Sequence, residues 1–216
     1  MAKLPLKVDS FVLLPNFLLF LLLVGLLVYA KSSGDVGFLK RLFEKQQAEL
    51  MYPLKGSLIL ISNFLWGLPT AICLFTFGIL NYVSPGHRAN LFFLSAGVGL
   101  GFTLLDEVSR ITIYMVLMYK VPKHFIALLY GTIAIAFILY FWRKILSTPF
   151  LLLMVALILL VVSRVVDLSP LSHQETPGRI LLEEGTKLLA LLNLTLYFWL
   201  TCRQEIIKVL AQHTSF

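Results

Sequence analysis

Three short runs place ionisable side chains where an otherwise apolar chain should avoid them: LLDEVSR at 104–110, SRVVD at 163–167 and LLEEGTK at 181–187. They supply Asp106, Glu107, Arg110, Arg164, Asp167, Glu183, Glu184 and Lys187. Asp106 and Arg110 are four apart, as are Glu183 and Lys187. Glu107 and Arg110, Glu184 and Lys187, and Arg164 and Asp167 are three apart. On a helix these spacings put acid and base on one face. In LLDEVSR and LLEEGTK the acid precedes the base, the favourable order against the helix dipole.

Carboxylates of this kind suit hard cations such as Mg2+ or Ca2+. Zinc would require histidines, but His87, His124, His173 and His213 all lie in links or the tail, so no metal site is assigned. Ser109 and Ser163 are the nearest hydroxyls, and helical serines usually bond back to their own backbone. A nucleophilic triad is therefore not supported. Lys187 has the chemistry for a Schiff base, but two glutamates within a turn favour a salt bridge. Nothing in the sequence names a cofactor.

The elements that must carry these residues follow from composition. Of 216 residues 59% are hydrophobic and 13% charged, against roughly 25% charged in a soluble domain. The mean hydropathy is +0.89. A bilayer must solvate most of this surface. The formal charge of +7 then belongs to residues flanking spans and meeting lipid head groups, not to nucleic-acid binding. Cys73 and Cys202 lie in or beside apolar runs and read as small buried hydrophobes.

Six segments reach the roughly 20 apolar residues of a spanning helix: about 11–30, 57–83, 90–119, 124–142, 149–166 and 180–202. The fold class is thus all-α, a six-span helical bundle forming one membrane domain over 1–216. Lys3, Lys7 and the tripeptide Val28-Tyr29-Ala30 give the first segment a signal-peptide look. Its apolar run exceeds the ~7–15 residues of a signal core, so a retained helix is expected. In 31–55, Phe38, Leu39, Leu42 and Phe43 alternate with Lys40, Arg41, Glu44 and Lys45. That pattern suits either a helix in the head-group layer or a solvated basic loop. Gly97 and Gly101 form a G-x-x-x-G pair that lets a neighbouring helix approach closely.

With six spans, seven basic residues fall on the N-terminal side and eight on the other, which leaves orientation open under the positive-inside rule. Asp106 lies about 22 Å along the third span and Arg164 at a similar depth in the fifth. Glu183 and Glu184 open the sixth, which starts from the opposite face. All eight charges therefore fall in one layer, distal to the N-terminus. The layer holds five acids and three bases, whereas the rest of the chain holds fifteen bases and six acids. Excess carboxylates at low dielectric must bind a cation, take up a proton or stay wet.

LLDEVSR followed by LLEEGTKLLALL resembles a loose group of uncharacterised bacterial multi-pass membrane proteins, cyanobacterial ones among them, in which an L-D-E run is paired with a later E-E run. The resemblance covers roughly 100–200. The group carries a His-Glu pair one or two turns after L-D-E, where this chain has Ile111, Thr112, Ile113 and Tyr114. The resemblance implies a bacterial inner or thylakoid membrane and no particular activity.

The expectation is a non-enzymatic multi-pass membrane protein whose charged layer binds a small cation or polar ligand, or orders helices in an assembly. The alternatives are an intramembrane metal-dependent hydrolase or transferase using Asp106, Glu107 and Glu184, and a proton- or ion-coupled transporter. The expected partners are membrane lipids, with a homo-oligomer or a larger membrane complex possible.

Overall fold

The computed structural model describes residues 10–33, 42–43, 56–86, 88–168 and 176–213, and every regular element among them is helical. They are α1 (Ser10–Ser33), α2 (Ser57–Val83), α3 (Arg88–Ser109), α4 (Ile111–Tyr119), α5 (Lys123–Tyr140), α6 (Trp142–Leu146), α7 (Phe150–Leu168), α8 (Pro177–Ile180), a π-helical turn (Leu181–Gly185) and α9 (Thr186–His213). Five helices are long and apolar enough to cross a membrane, and His124–Tyr140 forms a shorter apolar one. The six expected segments are therefore all helical. Large apolar side chains such as Phe75, Leu128 and Leu139 stand about 70% exposed, which water would not tolerate over so wide a surface. The interfacial helix expected over 31–55 falls mostly outside the described residues. Within it Leu42 and Phe43 are helical, and Leu42 is buried.

Two boundaries differ most from expectation. The third span does not run to Tyr119. It ends at Ser109, and Arg110 takes a left-handed conformation (φ 54°, ψ 37°) before α4 resumes. At 1.5 Å per residue the 22 residues of α3 measure about 33 Å, enough to span alone, while the nine of α4 measure about 14 Å and are not. A second left-handed residue, Lys120 (φ 53°), closes α4, and extended Pro122 leads into α5. The last helix passes residue 202 to reach His213. The apolar run stops near Cys202, but RQEIIKVLAQ is rich in helix formers, and Glu205 and Val209 remain buried.

The chain forms two compact units, one of residues 1–65 and 151–196, the other of 66–150 and 197–216. In the first, Leu23, Leu42, Leu58 and Leu188 make a buried cluster flanked by Leu19, Leu26, Leu65 and Leu181. The side-chain amide of Asn193 donates to Asn16 Oδ1 at 2.8 Å, joining α9 to α1. A methyl group at Gly185 would lie 3.4 Å from both Leu23 methyls, so the π turn and α1 meet closely there.

In the second unit, Phe92 stacks on Phe137 at 5.5 Å and meets Phe141 edge-on at 5.2 Å. A Cβ on Gly97 would fall 2.7 Å from Leu74 Cδ2, and one on Gly101 would fall 3.4 Å from Thr70 Cγ2. The G-x-x-x-G face of α3 is thus occupied by α2 of the same chain. The α2–α3 link turns through Gly86 (φ 82°), a conformation that glycine adopts without strain. The Asn90 amide ties the turn by donating to Ser84 O at 3.0 Å.

Candidate functional site

In the first unit the chemistry centres on the π turn at LLEEG. A π turn widens the helix by one residue and displaces the i, i+4 register that an α-helix would keep. Glu183 pairs with Arg179 on the preceding turn, with Nη2 to Oε2 at 3.1 Å. Arg179 lies outside the eight charges singled out in the sequence. The backbone carbonyl of Glu183 accepts the Ser163 hydroxyl of α7 at 2.7 Å. Ser163 therefore does not bond back to its own helix as helical serines usually do. It fastens α7 to the opening of the last helix. The Thr186 hydroxyl also reaches Glu183 O, at 3.2 Å.

Arg164 and Asp167 form the expected i, i+3 pair at 3.8 Å, but the Arg164 side chain is 61% exposed. An exposed pair of that length contributes a few tenths of a kcal/mol at most. Glu184 and Lys187 are half-buried, and both are engaged by other groups. The Ser163–Glu183 bond thus joins α7, which carries Arg164 and Asp167, to the turn that carries Arg179 and Glu183.

Asp106, Glu107 and Arg110 belong to the second unit. Asp106 caps the helix break. Its Oδ1 accepts the Thr112 backbone N–H at 2.7 Å, and its Oδ2 accepts the Thr112 hydroxyl at 2.7 Å. The i, i+4 face expected for Asp106 and Arg110 does not exist, because Arg110 is not helical. Its side chain is exposed and forms no salt bridge among the described residues. Asp106 and Glu107 stand within a turn of the end of α3, both half-buried, and Glu107 is partnered.

Among the described residues no three His, Cys, Asp or Glu side chains are grouped to hold a metal ion. His124 is exposed. Cys73 and Cys202 are both free and buried.

The sequence analysis overlooked a second polar centre. Glu205 is a buried charged residue on α9, with its side chain 5% exposed. It pairs with Lys144 of α6 at 2.6 Å and with Lys208, three residues on, at 2.8 Å. Two turns earlier on the same face, the Tyr197 hydroxyl meets the Thr148 hydroxyl at 3.0 Å. The available signal was the spacing of Tyr197, Thr201 and Glu205 at four-residue intervals. It was lost because residues beyond 202 read as a polar tail.

An all-helical fold with several bilayer-length apolar helices among the described residues defines a multi-pass integral membrane protein. The chain belongs to the family described as Domain of unknown function (DUF8692), which it matches over residues 15–201. No curated protein and no solved structure matches it.

Proposed function

We propose that this protein is a non-catalytic membrane component whose charges distal to the N-terminus order helix ends, within an assembly that includes lipid and further copies or partners. The carrying observation is that both Asp106 oxygens are engaged by Thr112. Charge-assisted hydrogen bonds of this length are strong, so the carboxylate has donors without a cation. Glu183, paired to Arg179 one turn back, repeats the pattern in the first unit. These pairings favour ordering over cation binding. The resemblance to bacterial multi-pass proteins supports a bacterial inner or thylakoid membrane. The Gly97–Gly101 face lends no support to a dimer, since Leu74 and Thr70 already fill it.

One observation favours a second reading. The π turn at Leu181–Gly185 holds half-buried Glu184, and π turns recur at ligand sites. A small polar ligand at Glu184 would use that geometry.

Thermal unfolding of the purified chain in detergent, with and without millimolar Mg2+ or Ca2+, separates the two. The ordering reading expects no saturable cation-dependent shift, and equal cation response in wild type, Asp106→Asn and Glu184→Gln. A saturable stabilisation of wild type that either variant abolishes would make the layer a cation site and overturn the reading.

A further inference from the structure

At the C-terminal end of α9 the second unit holds two lysines on one buried carboxylate. Glu205 lies 19 residues beyond Thr186, about 28 Å along the helix, close to the roughly 30 Å thickness of the hydrocarbon core. Its carboxylate is nearly sealed at 5% exposure, while Lys144 and Lys208 keep 23% and 56% of their side chains open. Each ammonium has three donors. One from each is engaged by Glu205, so two on each remain for an outside acceptor. Arg143, exposed and next in sequence to Lys144 on α6, adds a further positive charge, and Trp142 next to it is half exposed. Tryptophan at such a depth favours the membrane interface. The lysines, the arginine and the glutamate together carry a formal charge of +2.

We infer that Lys144 and Lys208, held in place by Glu205 and flanked by Arg143, bind the phosphate of an anionic phospholipid head group. Glu205 does not repel the lipid phosphate, because its charge is covered by the two ammoniums. It fixes them instead, so less side-chain freedom is lost on binding. Depth and charge complementarity both favour a lipid over a soluble anion. This site is independent of the charged residues at the opposite end of α9.

The test uses the full chain in a neutral detergent, titrated with phosphatidylglycerol, phosphatidylcholine or sn-glycerol 3-phosphate, with bound lipid counted by native mass spectrometry. Phosphatidylglycerol should bind saturably and raise the unfolding temperature. Phosphatidylcholine and glycerol phosphate should do neither. Each of Lys208→Gln and Arg143→Gln should weaken phosphatidylglycerol binding about fivefold, as one basic residue near an anionic lipid contributes, and Lys208→Arg should restore it. Arg143→Gln, which leaves both Glu205 pairs intact, should unfold in phosphatidylcholine at the wild-type temperature, whereas Lys208→Gln should unfold somewhat lower because Glu205 then keeps only Lys144. Equal binding of the two lipids, or variants that keep the full preference, would overturn the assignment. Glycerol phosphate acting as well as the lipid would show a soluble phosphate site and overturn it equally.

Discussion

Asp106 and Arg110 show how a single residue's conformation changes the meaning of a charge. A non-glycine residue in the left-handed region costs about 1–2 kcal/mol, and Arg110 at φ 54° carries that strain. The two Asp106–Thr112 hydrogen bonds offset it. Arg110→Gly should therefore match wild-type stability or exceed it by about 1 kcal/mol in thermal unfolding, and a clear loss would mean that the left-handed turn is not adopted. Glu205 tests a different principle. Removing one partner of a buried ion pair costs about 3–5 kcal/mol when the other is left without water. Lys144 and Lys208 keep some solvent, so Glu205→Gln should lose roughly 1–3 kcal/mol. Arg164→Gln, at an exposed pair, should lose no more than about 0.5 kcal/mol by the same assay.

At the scale of elements, the hydrophobic runs marked each of the five described helices long and apolar enough to cross a bilayer, and the shorter His124–Tyr140, because twenty apolar residues in succession have few other uses. The break at Arg110 was not legible. No Gly or Pro stands at 109–111, and the cue is a side chain, Asp106, reaching six residues ahead. The π turn was hidden for a similar reason. LLEEGTK has no breaker stronger than Gly185, and the widening is satisfied by Ser163 from a helix twenty residues away. The Arg179–Glu183 pair across this turn was likewise not anticipated. Ser163→Ala should lose about 0.5–1.5 kcal/mol, the net worth of one hydrogen bond, in the same unfolding measurement. Packing gives a sharper contrast on α3. Gly97→Ala forces Leu74 to move from a 2.7 Å approach and should destabilise by about 1–3 kcal/mol. Gly99→Ala meets nothing within 4 Å and should be no less stable than wild type.

For the whole molecule, composition alone identified the solvent. With 59% hydrophobic residues and broad apolar exposure on the helices, the bilayer provides most of the burial that water would otherwise enforce. Asp106, Arg110 and Glu183 sit where helices end, start or break. The sequence assigned partners by helical spacing, which holds for Arg164–Asp167 and fails for Asp106 and Arg110, where the backbone leaves α geometry. The central claim is that the Asp106 and Glu183 carboxylates serve the backbone and their own helices. A double-mutant cycle on Asp106→Ala and Thr112→Val, read as unfolding free energy in cation-free detergent, tests it most directly. Residues joined by such a bond should couple by at least about 0.5 kcal/mol, and adding Mg2+ should leave the coupling unchanged. Additive losses, or coupling that emerges only when a divalent cation is present, would contradict the account.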